Sequence, residues 1–219
     1  MKKIISLVLC LALGAFVLSG CSGSDEPFEE KNYTPDAQVS EINIDVEDRE
    51  IEVSLSADGQ VHIQYYENSK EYYDISVSGS TLTMTAASDK AWTDYIGVKP
   101  SAENRKISLQ VPDALLENLT LSTTNEDISL PALAVTGSIS ISSNGGDITF
   151  GRLDVGSALN LTVKNGNISG TVLGSYDDFA IQSDVKKGDS SLPESKDGGS
   201  KTLNVSANNG DVDIELVSE

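Results

Sequence analysis

The chain has 219 residues, and its 34 Asp and Glu against 15 Lys and Arg give a formal net charge of −19. An anionic surface of this size excludes nucleic acid and anionic lipid headgroups as favourable partners, because both repel it. The two cysteines, Cys10 and Cys21, both lie at the start of the chain, so a domain further along has no disulfide and no Cys-ligated metal.

The first residues predict an export signal. Lys2 and Lys3 precede an apolar run, residues 4–18, that is too short for a spanning helix. The run ends in Leu-Ser-Gly-Cys, which resembles the bacterial lipobox, where small residues precede a cysteine that becomes lipidated. We therefore expect a lipoprotein signal peptide at 1–20 and lipid attachment at Cys21. Acyl chains contribute about 0.8 kcal/mol per buried methylene, so the lipid would anchor an extracytoplasmic protein to a bacterial membrane of the cell envelope.

The next segment, 21–37, begins with the lipidated cysteine and is polar and acidic. Pro27 and Pro35 interrupt it, and it has no sustained helical or strand period. This composition predicts a flexible tether. A single folded domain is then expected at 38–219.

From residue 39 the hydrophobic period becomes two. Apolar residues alternate with polar ones in short runs rich in β-branched side chains, which predicts strands with one buried face. No window carries a convincing helical stripe, so the domain is expected to be all-β. The apolar pairs of these early strands are Ile42 with Ile44, Ile51 with Val53, Val61 with Ile63, Leu82 with Met84, and Ile107 with Leu109.

One segment, 90–105, breaks the alternation and holds the only tryptophan, Trp92, near Tyr95. An aromatic pair on a loop can stack on a sugar or contact a partner, so Trp92 and Tyr95 are a candidate binding loop. The alternative is a cover packed over the end or side of the β-core, because repeat folds need protected ends.

The second half of the chain repeats one pattern with a period of about 20–22 residues. Each copy has an alternating apolar stretch, a small polar turn and a second alternating stretch, which is the signature of a stacked-repeat architecture. A degraded copy is present at 179–192. The clear copies are 118–130, 138–150, 159–172 and 203–216.

Two architectures fit these repeats. The Asn-Gly pairs at 144–145, 165–166 and 209–210 are hairpin signals, and hairpins would give an antiparallel β-meander or sandwich. Alternatively each copy is one coil of a single-domain β-solenoid-like stack, with Asn and Gly at the corners. The solenoid is favoured, because similar apolar residues recur at equivalent positions, as stacking requires and a meander does not.

The order of these features resembles the bacterial putative-adhesin family, a β-strand-repeat domain of unknown function common in envelope proteins and lipoproteins. The resemblance is carried by the early alternating strands, the loop with Trp92, the segment KISLQVPDALLENLTLST (106–123), and the copies with N-G-D-I-like turns. It implies a β-solenoid-like fold and no established catalytic residues. The segment 183–199 departs from the pattern and predicts a loop.

Acidic side chains recur in the turns at Asp127, Asp147, Asp189 and Asp211, with Asn167 in the same position. Stacked carboxylates can bind Ca²⁺, which takes several oxygen ligands. Asp and Asn also form turns in their own right, and Asn167 interrupts the acidic series. We therefore expect structural turn residues, with a cation column as the alternative, and otherwise no cofactor or metal.

Catalytic signals are weak. His62 is the only histidine and lies on the polar phase of its strand, and no Ser/His/Asp signature is present, so we expect no enzyme. The sequence favours an adhesin-like surface lipoprotein whose solenoid binds an extended glycan or an envelope or host protein. The alternatives are a structural or regulatory partner in envelope stress and, less favoured, a carbohydrate-active enzyme.

The final copy, 203–216, ends close to the end of the given chain without an obvious cap. An unpaired strand edge there could add a strand from another chain. The sequence therefore predicts weak self-association through this terminal strand edge.

Overall fold

A computed structural model describes residues 26–88 and 100–218. The predicted signal peptide and Cys21 lie outside these residues, as do Trp92 and Tyr95. The described part is built from β-strands and two short 3₁₀ turns, Glu103–Arg105 and Tyr176–Asp178. Among these residues no helix is long and apolar enough to cross a membrane.

The described residues form eighteen strands in two mixed sheets. The strands are β1 (Glu29–Tyr33), β2 (Glu41–Asp45), β3 (Glu50–Leu55), β4 (His62–Glu67), β5 (Glu71–Ser78), β6 (Thr81–Ser88), β7 (Lys106–Val111), β8 (Asn118–Thr123), β9 (Ile128–Leu130), β10 (Leu133–Val135), β11 (Ser138–Ser143), β12 (Ile148–Val155), β13 (Ala158–Asn165), β14 (Ile168–Leu173), β15 (Phe179–Val185), β16 (Ser195–Lys196), β17 (Lys201–Asn209) and β18 (Val212–Val217). Sheet 1 has the order β1-β4-β7-β3-β9-β12-β14-β18, with β10 also paired to β12. Sheet 2 has the order β16-β15-β17-β13-β11-β8-β2-β6-β5.

The repeats stack in parallel, which confirms the solenoid-like prediction over the meander. Each copy supplies one strand to sheet 2, turns a corner and supplies one strand to sheet 1, and we call this unit a coil. Similar residues meet across the coils: Leu119 pairs with Ile139 and Ile139 with Leu159 in sheet 2. Equivalent pairing in sheet 1 joins Ile128 to Ile148 and Ile148 to Ile168.

The core lies between the two sheets, where the inward halves of the alternating strands meet. Every apolar residue predicted to face inward in the four clear copies is buried, except Leu216, which is half-buried and packs against the core. Burying one Leu or Ile side chain contributes roughly 1.5–3 kcal/mol. Repetition of such positions from coil to coil therefore stabilises a domain that lacks covalent cross-links.

Two further coils precede the recognised repeats. Strands β2 and β3 pair in parallel with β8 and β9, and β6 and β7 pair in parallel with β2 and β3. The coil of β2 and β3 places Ile42 and Ile51 nine residues apart, the same separation as Leu119 and Ile128. In the coil of β6 and β7 the segment 89–105 replaces the short corner, which is why this coil did not show the period.

Antiparallel strands close the N-terminal end of the stack. Strand β5 pairs antiparallel with β6, β4 pairs antiparallel with β7, and β1 pairs antiparallel with β4. The predicted flexible tether through residue 37 is corrected here, because Glu29–Tyr33 forms β1. The contact extends further back, since Asn68 Nδ2 donates a hydrogen bond to the backbone oxygen of Glu26 over 3.2 Å.

The C-terminal end departs from chain order. The final copy does not lie outermost: β17 pairs with β13 on one side and with β15 on the other. The prediction of a free terminal edge is therefore wrong for sheet 2. In sheet 1 the outer edge of β18 is partly covered, because Val212 N–H donates to Asp189 O over 2.8 Å and Ser191 N–H donates to Val212 O over 2.9 Å.

The segment predicted as a loop, 183–199, folds back onto this end. Its two-residue strand β16 pairs antiparallel with β15, and Leu192 is buried in the core. The prediction missed this return because Leu192 is the only fully buried apolar side chain in the segment, while Val185, at the end of β15, packs partly buried against the core.

Candidate binding faces

Side chains of Asp and Asn form a hydrogen-bonded column along the corners between the two sheets. Asp127 Oδ1 accepts from the backbone N–H of Asp147 over 2.8 Å, and Asp147 Oδ1 accepts from that of Asn167 over 2.7 Å. Asn167 Oδ1 accepts from Asp211 N–H, and Asp211 Oδ1 accepts from Asp189 N–H, each over 2.9 Å. Each side chain therefore pairs a backbone donor of the next coil at the point where the chain turns.

The column has a different order in space from its order in the chain. It runs Asp127, Asp147, Asn167, Asp211, Asp189, so that Asn167 separates two pairs of carboxylates. Within residues 26–88 and 100–218, no group of three or more His, Cys, Asp or Glu side chains is arranged to hold a metal ion. The hydrogen bonds account for these residue types structurally, and Ca²⁺ binding stays a prediction.

Glycine at these corners reflects close approach of one coil to the next. A Cβ atom on Gly166 would overlap the backbone oxygen of Gly146, and one on Gly210 would overlap that of Gly166. The Asn-Gly pairs are therefore corners of stacked coils rather than hairpin turns. They resemble hairpin signals in sequence because both turns need a residue without a side chain.

The middle of the outward surface of sheet 2 carries no charge. Twelve residues of β8, β11, β13 and β17 point outward in three rows, and we call them the neutral face. Eleven of the twelve bear a hydroxyl or carboxamide, and none is buried. The rows are Asn118, Ser138, Ala158 and Thr202; Thr120, Ser140, Asn160 and Asn204; and Ser122, Ser142, Thr162 and Ser206.

Hydrogen bonds along the middle row orient part of this face. Asn160 Nδ2 donates to Ser140 Oγ over 3.0 Å, and Asn204 Nδ2 donates to Asn160 Oδ1 over 2.8 Å. Adjacent strands lie about 4.8 Å apart, so four strands and three rows present a regular surface of roughly 15 Å in each direction. Charged residues border it, at Glu41 and Asp45 on β2, Lys164 on β13 and Asp184 on β15.

The outward surface of sheet 1 is different, because charged residues interrupt it. Lys106 forms ion pairs with Glu52 and, at 4.0 Å, with Glu50. The hydrogen bond to Glu52 raises the pKa of Lys106. Asp213 and Glu215 are exposed on β18. Ser129, Thr149 and Ser169 form a short neutral row on β9, β12 and β14, but this row ends at Glu52 on β3 and at Asp213 on β18.

His62, predicted as a surface histidine, lies on the outward surface of sheet 1. Its Nε2 is 3.0 Å from both carboxylate oxygens of Asp58, and its Nδ1 is 2.8 Å from Thr34 Oγ1. The hydrogen bond from His62, followed by that from the backbone of Gln60, holds the pKa of Asp58 below its ordinary value. Among the described residues, Thr34 has the only hydroxyl that is hydrogen-bonded to this imidazole.

The candidate binding loop with Trp92 and Tyr95 lies outside the described residues. Its flanks are described: β6 ends at Ser88 in sheet 2 and β7 begins at Lys106 in sheet 1. The loop therefore departs from the same edge of the stack as the column of Asp and Asn. The neutral face was not singled out by residue from the sequence, although the outward phase of the alternating strands contains it.

Comparisons with known proteins agree with the fold. The family model described as Toastrack DUF4097 matches residues 39–216. A solved structure of a putative cell adhesion protein from Clostridium sporogenes ATCC 15579 is similar with a TM-score of 0.58 at 11% identity, covering 86% of this chain and 100% of that one. A likeness at this identity concerns the fold alone.

Two further solved structures are similar with lower scores. One is a putative adhesin from Bacteroides fragilis NCTC 9343, with a TM-score of 0.34, 14% identity, and coverage of 88% of this chain and 98% of that one. The other is a putative lipid binding protein from Parabacteroides distasonis ATCC 8503, with a TM-score of 0.36, 14% identity, and coverage of 87% and 94%. Among curated proteins none matches the chain.

Proposed function

The chain belongs to the Toastrack DUF4097 family, and from this premise we propose that it is an adhesin-like binding protein whose neutral face holds an extended glycan or protein strand. The structure with a TM-score of 0.58 is named a putative cell adhesion protein, which is consistent with such a role. We also propose that the protein works outside the cytoplasm, held to a bacterial membrane by lipid on Cys21.

The observation that carries the proposal is the absence of charge on the neutral face of a chain with a net charge of −19. Charged groups are costly to remove from water, whereas hydroxyl and carboxamide groups can exchange water for a ligand's donors and acceptors at small cost. Such groups on a flat, regular surface match a ligand that is itself extended and rich in neutral hydrogen-bonding groups.

The neutral face also has a fixed arrangement before any ligand binds. Its side chains project from hydrogen-bonded strands, and Asn160 is held between Ser140 and Asn204. A preformed surface loses little conformational freedom on binding, which favours affinity. This rigidity supports a binding role over catalysis, since the face contains no titratable group.

Binding is tested with residues 22–219, which contain every described strand, on a glycan array and in pull-downs from envelope extract. Ser140→Asp with Asn204→Asp places two charges on the neutral face, two strands apart. Ser129→Asp with Ser169→Asp is the matched control, two strands apart on the outward side of sheet 1. We expect the first pair to weaken binding at least about tenfold, because the new charges must be desolvated, and the control pair to leave it unchanged.

Other outcomes redirect the proposal. Binding that survives on the altered neutral face but is lost in Trp92→Ala with Tyr95→Ala would assign the site to the loop. Capture of a membrane protein without any glycan would favour the envelope-stress partner. Cleavage of a bound glycan would make the protein a carbohydrate-active enzyme and would contradict a purely adhesive role.

The anchor is tested separately in cells. We expect the full chain to incorporate radiolabelled palmitate and to fractionate with membranes, and Cys21→Ala to lose both. The matched control is Cys10→Ala, which lies within the predicted signal peptide and leaves labelling intact. Membrane fractionation without labelling of the unaltered chain would contradict lipid attachment.

A further inference from the structure

A polar depression opens on the outward surface of sheet 1, near the N-terminal end of the stack. It has a volume of about 250 Å³ and is lined by Asn32, His62, Gln64, Ser108 and Gln110. Strand pairing brings these residues together, because Asn32 lies opposite Gln64, Gln64 opposite Ser108, and His62 opposite Gln110. The depression is thus formed where β1, β4 and β7 lie side by side.

Most of the hydrogen-bonding groups in the lining are unused. The side chains of Gln64, Ser108 and Gln110 make no hydrogen bond to any other residue in the described part of the chain, and Asn32 makes one long contact of 3.5 Å to Glu30. A carboxamide offers donors and acceptors together, and a hydroxyl does the same. The lining can therefore serve a ligand whose groups both donate and accept.

The imidazole of His62 forms one side of the depression but offers no free ring nitrogen to a ligand. Nε2 lies within hydrogen-bond distance of the Asp58 carboxylate, and Nδ1 within hydrogen-bond distance of the Thr34 hydroxyl. Asp58 is itself held by the backbone N–H of Gln60 over 3.0 Å. Both ring nitrogens are thereby occupied, so the imidazole keeps one orientation beside the carboxamides.

The chemistry of the lining selects among ligand classes. No carboxylate or ammonium group lines the depression, so a charged ligand gains no opposite charge there. An apolar ligand would strip water from three carboxamides without replacing their hydrogen bonds, which is unfavourable. A neutral polyol needs no opposite charge, and each of its hydroxyls donates and accepts hydrogen bonds. It can therefore replace the water bound to the carboxamides.

Size and surroundings favour one sugar ring. At about 30 Å³ of liquid volume for each water, 250 Å³ corresponds to roughly eight waters, which is enough for a hexose. Tyr66 follows Gln64 on the same side of β4, since alternate strand residues share a side. Tyr66 lies beyond the five lining residues, and its hydroxyl donates to Glu30 over 3.2 Å, so an aromatic ring borders the depression on β4, where it can contact sugar C–H groups.

We propose that this depression is a binding site for one neutral sugar residue, separate from the neutral face. The two sites lie on opposite sheets and do not share a residue. The sugar site can therefore be confirmed or rejected independently of the proposed binding of an extended ligand to sheet 2. If both sites bind glycan, the protein can hold two chains, or two parts of one chain, on its two sides.

The test is NMR titration of ¹⁵N-labelled residues 22–219 with methyl glycosides of glucose, galactose, mannose and N-acetylglucosamine. Glucuronate and glucosamine serve as charged comparators. We expect at least one neutral glycoside to shift the side-chain amide signals of Gln64 and Gln110 saturably, with a dissociation constant in the millimolar range. Gln64→Ala with Gln110→Ala is expected to weaken this binding at least about tenfold, the cost of a lost hydrogen bond or two.

The control variant is Asn160→Ala, which alters the neutral face and should leave this dissociation constant unchanged. Since Gln64 and Gln110 both point outward, the amide spectrum of the double variant reports directly whether it folds like the parent chain. Three results would overturn the proposal: no saturable shift with any of the four glycosides, equal affinity in the folded double variant, or binding of the charged sugars alone. Loss of binding in Asn160→Ala would also overturn it, by moving the site to the opposite sheet.

Discussion

The two ends of the stack are closed in different ways, by antiparallel strands at the N-terminal end and by an inserted parallel strand at the C-terminal end. At the N-terminal end the chain reverses, and the antiparallel strands β4 and β5 cover the coil of β6 and β7. Arg49 locks this end, since its Nε donates to Tyr73 Oη and its Nη2 to Glu71, each over 2.6 Å. At the C-terminal end the chain leaves a space beside β13, forms β15 beyond it, and fills the space with β17.

The difference teaches that the ends rely on different parts of the chain. At the N-terminal end the first strand, β1, lies at the edge of sheet 1. Only β5 and β6 form a hairpin with a short turn there, because β4 pairs with β7 across 48 residues, His62 with Gln110. The C-terminal closure depends on pairing between β13 and β17, whose partners Leu159 and Leu203 are 44 residues apart. Removing terminal residues should therefore affect the two ends unequally.

The largest expected effect is from deleting 201–219. This removes a strand from the interior of sheet 2 and leaves β13 and β15 with unpaired edges. We expect loss of the cooperative unfolding transition, since the change exceeds a typical total stability of about 5–15 kcal/mol. Urea unfolding followed by circular dichroism measures it. Starting the chain at residue 35, which removes the edge strand β1, is the matched control and should keep a cooperative transition with a lower midpoint. Equal effects of the two deletions would contradict the comparison.

Arg49→Met tests how much the contacts of Arg49 with Tyr73 and Glu71 stabilise the N-terminal end. The side chain is 6% exposed and is paired with Glu71, and breaking a buried ion pair costs about 3–5 kcal/mol. We expect the free energy of unfolding to decrease by about 3 kcal/mol, the lower end of this range. Arg152→Met, an exposed arginine on sheet 1, is the control and should stay within about 0.5 kcal/mol. A similar small change in both variants would show that the pair does not hold this end.

Glycine substitutions compare an open turn with a packed corner. Gly210 has φ +140° and a Cβ there would overlap Gly166 O, whereas Gly59 has φ +73° and no atom within 4 Å of a Cβ. Gly59→Ala should cost about 1–2 kcal/mol from left-handed strain alone. Gly210→Ala should cost about 3 kcal/mol or more, because the coils must also separate. Thermal unfolding of both variants gives the ranking, and the reverse order would contradict close packing at the corner.

The smallest expected effect concerns the column of Asp and Asn. Asp147→Ala removes the acceptor for Asn167 N–H and should cost about 1 kcal/mol. Asp147→Asn keeps an acceptor, as Asn167 does for Asp211, and should stay within about 0.5 kcal/mol. Chemical unfolding with and without Ca²⁺ measures both. If Asn were as costly as Ala, and Ca²⁺ stabilised only the unaltered chain, the column would be a cation site.

Several features followed from sequence patterns with a direct physical cause. The resemblance to the putative-adhesin family and the all-β, solenoid-like fold are confirmed, because alternation and a constant repeat length both reflect local backbone geometry. The coil of β2 and β3 was missed as a repeat, although Ile42 and Ile51 keep the nine-residue separation. The first three clear copies follow one another directly, but this coil is separated from them by β4 to β7, which hides the period.

The candidate sites were less predictable. Strand alternation marks which residues of β8, β11, β13 and β17 point outward, but only their pairing shows that twelve uncharged positions form one surface. The depression could not be predicted, because Asn32, Gln64 and Ser108 come from three segments that are distant in sequence. Part of it lies on β1, a segment whose polar composition predicted a tether.

The sequence by itself determined the alternating strands, their buried sides and the corner residues, because each depends on the chemistry of neighbouring residues. Only the tertiary structure decided the order of the coils, including the position of β17 between β13 and β15. The physical reason is that backbone hydrogen bonds between strands are the same for every coil, and the apolar residues that stack are nearly alike. These local features therefore do not distinguish one order of coils from another, and the order is seen only in the pairing of the folded chain.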